Sequence, residues 1–102
     1  GAANPYLLQA VLLGAGLWGV ENKTDPGKRL DIDMYAEGHK VKNAPKLPLN
    51  LLDALRAFQN NKIMRGILGA EFADSYLKLK MEEWNSYMQH FSEWERQNAL
   101  DV

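Results

Sequence analysis

The 102-residue chain contains no cysteine, which excludes disulfide bonds and thiolate metal sites but identifies no compartment. It also lacks an excess of either charge, since its formal net charge is −1, and no overall field indicates nucleic acid or an anionic membrane surface as a partner. Its longest apolar run is about 15 residues, whereas roughly 20 are needed to span a bilayer. We therefore expect one soluble domain that binds neither nucleic acid nor membrane.

The residues of common catalytic and metal sites are also scarce. His39 and His90 are the only histidines and are far apart in the sequence, so no pair has metal-ligand spacing. No serine lies in a Gly-x-Ser-x-Gly elbow, and no glycine loop between a strand and a helix could hold a phosphate. Asp31 and Asp33 alternate and could face one way, but without a third ligand we favour solvated carboxylates. We expect no catalytic, metal-binding or cofactor-binding residue in this chain.

The most informative segment that is present is an apolar helix near the start of the chain. Asn4 is suited to cap it, and Pro5 to occupy its first helical position. Between Leu7 and Val20 the only polar side chain is that of Gln9. A helix that is apolar on every face must be buried on every face, and a chain this short can rarely surround one. Either the helix is central to a bundle, or the chain is part of something larger.

The rest of the sequence predicts further helices and one long loop. Residues 21–48 carry turn signals and little periodicity, which predicts a loop of about 25 residues, a length usually associated with function or partial disorder. Capping signals then predict a helix capped by Asn50, with Leu49 packing on Ala54. A short apolar segment at 63–68 is either a turn or a short helix. The helical spacing of apolar residues predicts a long helix at about 71–91, and a Ser92–Glu95 capping box predicts the start of a last helix. The fold class is all-α, with about four helices.

Five segments in the same order resemble one protein family. They are Ala3-Asn4-Pro5-Tyr6-Leu7, the segment from Gly16 to Lys23 followed by Asp25-Pro26, the Leu-Pro-x-x-Leu-x-x-Ala-Leu pattern at 47–55, the pattern at 68–83, and Ser92-x-Trp94-Glu95-Arg96. Together they resemble the C-terminal portion of glutamine synthetases over nearly the whole chain. The most recognisable family-motif residues are Asn4, Pro5, Tyr6, Glu21, Asn22 and Lys23.

The resemblance implies that residues 1–102 form a single C-terminal helical segment of an α+β catalytic domain. Members of the family form an amide from a carboxylate and an amine, using ATP through an acyl-phosphate, with Mg²⁺ or Mn²⁺. Their active sites lie between subunits of a ring, in the cytoplasm. The strand motifs that hold the metals, the nucleotide and the substrate precede the segment matched by Asn4–Tyr6, and none is present here. The expected partners are the remainder of the catalytic domain and further copies of the enzyme, and the segment alone is expected to be inactive.

Two readings of function remain open at this stage. The favoured one is a structural, non-catalytic part of an ATP-dependent ammonia or amine ligase. The Trp94-Glu95-Arg96 ending slightly favours the relatives that ligate glutamate to amines other than ammonia. The alternative is an independent helical interaction or oligomerisation module. Under either reading the apolar faces of the first helix predict self-association of the chain on its own.

The long loop carries one possible regulatory residue. In some bacterial members of the family, a loop tyrosine in an Asn-Leu-Tyr-like sequence is adenylylated, and Tyr35 falls at about that place. Asp33 replaces the usual Asn, and Ala36-Glu37-Gly38 replaces the Asp-Leu-Pro that often follows. Tyr35 is therefore either a regulatory site or an ordinary loop tyrosine whose ring packs on the surface.

Overall fold

A computed structural model describes residues 3–42 and 44–99. In this part of the chain the structure is helical and contains no strand, which confirms the all-α class. The expectation of about four helices is wrong in number, because the described residues form six α-helices and one 3₁₀ turn. These are α1 (Pro5–Glu21), α2 (Met34–Glu37), the 3₁₀ turn (Gly38–Lys40), α3 (Leu51–Asn60), α4 (Lys62–Leu68), α5 (Ala70–Gln89) and α6 (Glu93–Ala99).

The helices that were not foreseen lie inside the predicted long loop. The side chain of Asp33 caps α2 by accepting from the backbone N–H of Tyr35 at 2.9 Å, and the 3₁₀ turn follows at once. A helix of four residues spans little more than one turn, so it is too short to show apolar periodicity. The apolar segment at 63–68 is the short helix α4, and Asn50 and Ser92 cap α3 and α6 as predicted.

The chain divides into two compact units, Gly1–Leu47 and Pro48–Val102, which we call the N-terminal unit and the C-terminal unit. In the N-terminal unit, the side chain of Asn4 accepts from the N–H groups of Tyr6 and Leu7 at 3.0 and 3.2 Å. Since Pro5 has no N–H to satisfy, the first turn of α1 begins with its donors paired.

The apolar surface of α1 is left exposed by the described residues of the N-terminal unit. None of its residues is buried, and Leu12 and Leu13 remain 64% and 69% exposed. These two side chains project about 100° apart around the helix, so exposure is not confined to one face. Among the described residues of the N-terminal unit, no other element packs on α1. None of the described helices has both the length and the apolar content needed to cross a membrane.

The C-terminal unit has a small core of its own. Helix α3 packs against α5, and α4 contacts both. Leu55 and Ala73 are 3% and 0% exposed at this junction, and the rings of Phe58 and Tyr76 meet edge-on with centroids 6.3 Å apart. Full burial of a leucine side chain contributes about 1.5–3 kcal/mol. The apolar stripes of α3, α4 and α5 therefore meet one another over part of their length inside this unit.

Short connections hold these helices in place. Asn61 both ends α3, by donating its N–H to the carbonyl of Phe58 at 3.1 Å, and begins α4, by accepting from Met64 N–H at 3.0 Å. Gly69 joins α4 to α5 with φ of +88°, a conformation that glycine adopts without steric cost. The expected contact of Leu49 with Ala54 is wrong, because Leu49 is 93% exposed.

Candidate functional site

The family-motif residues lie at the two ends of α1. Asn4, Pro5 and Tyr6 begin the helix, whereas Glu21, Asn22 and Lys23 end it. A 17-residue helix is roughly 25 Å long at 1.5 Å per residue. The two groups therefore do not form one site with each other, and α1 acts as a spacer between them.

Several of these residues have a structural task within the helix. Asn4 supplies the N-cap, and Asn22 donates its side-chain amide to the carbonyl of Trp18 at 2.8 Å. Tyr6, Glu21 and Lys23 are exposed. The structure thus accounts for the cap residues by local hydrogen bonding, whereas the three exposed side chains are presented outward.

Tyr35 is the second residue of the short helix α2. Its backbone N–H is held by Asp33, but its side chain is fully exposed and has no hydrogen-bond partner within residues 3–42 and 44–99. The interpretation that the ring packs on the surface is therefore wrong. The capping role of Asp33 also explains how aspartate can stand where the family pattern has asparagine, since both residues are good N-caps.

The candidate ligands of the long loop do not form a metal site. Asp31 accepts from the guanidinium of Arg29 at 2.6 Å, and Asp33 is occupied as a cap. His39 lies in the 3₁₀ turn of the N-terminal unit, whereas His90 follows α5 in the C-terminal unit. In the described part of the chain no group of three or more histidine, aspartate or glutamate side chains could hold a metal ion.

A cleft of about 280 Å³ lies at the connection between α5 and α6. Two of its polar residues, Ser92 and Glu95, are hydrogen-bonded to each other as the cap of α6. The cleft is lined by Tyr87, Met88, His90, Ser92, Trp94 and Glu95. The carboxylate of Glu95 accepts from the backbone N–H and the hydroxyl of Ser92, each at 2.8 Å, and these donors lower the pKa of Glu95. The predicted capping box is therefore present in full, and both polar groups are engaged in holding the start of α6.

The remaining polar pairs of the C-terminal unit join neighbouring elements or turns. Arg65 on α4 donates to Asp74 on α5 at 2.7 Å. Lys80 donates to Glu83, and this hydrogen bond raises the pKa of Lys80. The first pair joins α4 to α5, and the second lies within α5. They offer no nucleophile or base aligned for chemistry.

Comparison with known protein families identifies the family of this chain. A family model described as "Glutamine synthetase, catalytic domain" matches residues 1–99. The chain belongs to the glutamine synthetase family. The resemblance read from the sequence motifs is therefore confirmed.

Relatives within this family carry two different names. The glutamine synthetase of Rhizobium leguminosarum bv. phaseoli is 60% identical over 102 residues, which are 100% of this chain and 23% of the relative. The glutamate–methylamine ligase of Methyloversatilis universalis is 37% identical, with 98% of this chain and 23% of the relative covered. A solved structure described as "Apo GmaS without ligand" is 53% identical with a TM-score of 0.91, and it covers 99% of this chain and 24% of that one. The chain thus spans about a quarter of the length of the relatives it matches.

Proposed function

We propose that this chain is the C-terminal helical part of a glutamine synthetase-like, ATP-dependent ligase that joins a carboxylate to ammonia or another amine. In this proposal the segment is structural and is inactive in isolation. Its partners are the remainder of its own catalytic domain and, through that domain, further copies of the enzyme in the cytoplasm.

The exposed state of α1 is the observation that carries the proposal. The helix is apolar all round, yet none of its residues is buried. Such a helix is stable in water only when other protein covers it. The relatives are about four times as long as this chain, so a protein of their length has ample chain to enclose α1 from several sides.

The cofactors of this activity belong to the longer protein. The family resemblance implies ATP with Mg²⁺ or Mn²⁺, but we assign neither to a residue of this chain. Titration of the 102-residue chain with Mg·ATP in a calorimeter should give no saturable heat. Saturable micromolar binding with a defined stoichiometry would contradict a purely structural role.

A chimera tests the proposal directly. In the Rhizobium leguminosarum glutamine synthetase, this chain would replace the matched stretch of 23% of the length. We expect the chimera to join glutamate to ammonia, with ATP converted to ADP and phosphate, because 60% identity preserves most packing contacts. The chimera is assayed with ammonia, the amine substrate of the host enzyme, and the assay tests whether this chain completes that enzyme. A matched chimera carrying Leu12→Asp and Leu13→Asp should lose assembly and activity together, because a charge would enter the apolar interface.

The alternative of an independent interaction module makes a different prediction for the same pair of chimeras. An independent module does not complete the enzyme, so the unmodified chimera would stay soluble and assembled but inactive. Activity in the chimera with the Leu12 and Leu13 substitutions would also contradict our proposal, because it would show that α1 need not be covered.

We also propose Tyr35 as a modification site in the whole enzyme, with adenylylation as the chemistry that the family resemblance suggests. Its exposed phenol on a short capped helix supports accessibility. An adenylyltransferase assay on the whole protein should label it, and Tyr35→Phe should abolish the label without loss of ligase activity. Equal labelling of Tyr35→Phe would place the modification elsewhere.

A further inference from the structure

The cleft between α5 and α6 is lined by two aromatic rings that the core of the C-terminal unit leaves largely uncovered. These are the rings of Tyr87 and Trp94, which remain 68% and 71% exposed. The ring of Trp84 lies against that of Tyr87, with centroids 5.8 Å apart, and this contact restricts the orientation of the tyrosine ring. The faces of such rings carry partial negative charge and attract cations. One wall of the cleft is therefore already arranged to receive a cation.

The carboxylate of Glu95 has one oxygen to spare in this cleft. Its Oε2 accepts both bonds from Ser92, whereas its Oε1 accepts no hydrogen bond from residues 3–42 and 44–99. The donors of Ser92 lower the pKa of Glu95, so the carboxylate is charged at neutral pH. The cleft thus combines a charged hydrogen-bond acceptor with aromatic faces.

The charges around the cleft also favour a cation over an anion. Residues 81–95 contain no lysine or arginine but four glutamates, Glu82, Glu83, Glu93 and Glu95. The cleft lies at the C-terminal end of α5, a helix of 20 residues, and a helix carries partial negative charge at this end. At the start of α6, the backbone N–H of Glu95 is already taken by the hydroxyl of Ser92.

We propose that this cleft binds a guanidinium group, as carried by an arginine side chain, which stacks on the aromatic rings and donates to Oε1 of Glu95. Guanidinium suits the cleft better than ammonium, because it is planar, weakly hydrated and able to stack while it donates several hydrogen bonds. The volume of about 280 Å³ also leaves room for the aliphatic stem of such a ligand. The inference goes beyond the proposed function, since binding here needs no ligase activity.

NMR titration of the 102-residue chain tests the proposal. The probe is Nα-acetyl-arginine amide, compared with methylammonium chloride and sodium chloride at equal ionic strength. The titration is run at about pH 7.5, where most histidine is uncharged, because His90 also lines the cleft. We expect the arginine probe to shift the indole N–H of Trp94 and the amide of Ser92 saturably at millimolar concentration. Methylammonium should bind several-fold more weakly, and sodium chloride should give no saturable shift.

Two glutamine variants show whether the carboxylate in the cleft is responsible. Glu95→Gln removes its charge but keeps the capping box, because glutamine also serves at this position. It should weaken binding of the arginine probe about tenfold, through loss of a charged hydrogen-bond acceptor. Glu93→Gln removes an equal charge outside the lining of the cleft and should change the affinity less than about twofold, since exposed charges interact weakly.

Three outcomes would overturn the assignment. The first is the absence of any saturable shift with the arginine probe. The second is equal affinity for methylammonium and the arginine probe, which would show attraction of cations in general. The third is equal weakening by Glu95→Gln and Glu93→Gln, which would show that only the overall negative charge matters. Since none of these measurements uses ligase activity, failure of the proposed function would be seen separately, in the chimera.

Discussion

The two units of this chain use apolar residues in opposite ways. Helix α1 of the N-terminal unit has a single polar side chain between Leu7 and Val20, yet buries no residue. Helices α3 and α5 of the C-terminal unit are far more polar, yet they bury Leu55 and Ala73. Apolar content alone therefore does not decide burial within a chain. The arrangement around the helix decides it, because one stripe needs one neighbour, whereas an all-round apolar surface needs several.

The helices α3, α4 and α5 of the C-terminal unit pack on one another, whereas the apolar helix α1 of the N-terminal unit needs further protein to cover it. The C-terminal unit matches α3, α4 and α5 to one another with short connections at Asn61 and Gly69. The N-terminal unit presents a helix that is capped at both ends but has no partner element among the described residues of that unit. A region of the second kind is what a segment inside a larger domain is expected to contain.

The largest effect should come from truncating the core of the C-terminal unit. Leu55→Ala should lower the free energy of unfolding by about 2–5 kcal/mol, because it removes buried contacts and leaves a cavity. The matched Leu12→Ala in α1, where the leucine is 64% exposed, should change it by less than about 0.5 kcal/mol. Urea denaturation followed by far-UV circular dichroism, which reports the helices of both units, measures both.

Equal losses at the two positions would break the comparison. They would mean that α1 is packed in solution as tightly as α3, so that the chain covers its own apolar helix. In that case a role as a dependent segment would lose its physical basis.

The second effect concerns association of the isolated chain. Pairing exposed strips of several hundred Å² on two copies of α1 offers on the order of 10 kcal/mol at ~25 cal/mol per Å², and the entropy cost of association removes most of it. We expect a weak to moderate dimer in sedimentation velocity across a concentration series. Leu13→Lys should weaken it at least tenfold, whereas Leu79→Lys on α5, where the leucine is 60% exposed, should have little effect.

A strictly monomeric chain at high micromolar concentration would contradict this expectation. Equal weakening by Leu13→Lys and Leu79→Lys would instead show that association is a general property of exposed leucines. Only a selective effect of the α1 substitution ties the dimer to the N-terminal unit.

The long helices were predictable because local signals agree with their packing. Asn4, Asn50 and the Ser92–Glu95 pair all cap where the sequence predicts, since capping depends on residues within one turn. Helix α2 was missed because four residues are too few for periodicity. Its only signal was Asp33, a good N-cap placed before Met34.

The features that could not be predicted depend on geometry beyond one turn. The left-handed backbone conformation of Lys23 could not be predicted from the sequence, because lysine disfavours that conformation. The staple of Leu49 on Ala54 was expected from spacing alone, but a staple also needs a chain direction that brings the two together, and Leu49 is exposed. The sequence places the metal, nucleotide and substrate chemistry of the family outside this chain only through the family resemblance.

A smaller effect should come from the joint between α3 and α4. Asn61→Ala removes the side-chain bond to Met64 N–H and should cost about 1 kcal/mol of unfolding free energy. Asn60→Ala is the matched control, because the neighbouring asparagine is the last residue of α3 and is the cap of neither helix, and alanine is the better helix former there. Urea denaturation of both variants decides the point. A loss at Asn60 equal to that at Asn61 would show that the cap is not what joins the two helices.

The smallest effect is the response of two helix caps to acid. The start of α6 in the C-terminal unit depends on the carboxylate of Glu95, whereas α1 in the N-terminal unit is capped by the side-chain amide of Asn4. Donation from Ser92 lowers the pKa of Glu95 from its ordinary value of 4.5. A carboxyl whose pKa is lowered by folding contributes stability that is present above the ordinary value and is lost as the pH falls through the lowered pKa. Acid should therefore loosen α6 below about pH 4.5, whereas the side-chain amide of Asn4 does not ionise and its cap on α1 should persist. Amide chemical shifts of Ser92 and Tyr6, followed by NMR between pH 7 and pH 2, measure the two starts separately. In Glu95→Gln the acid transition at Ser92 should disappear, and its survival in that variant would show that another group causes it.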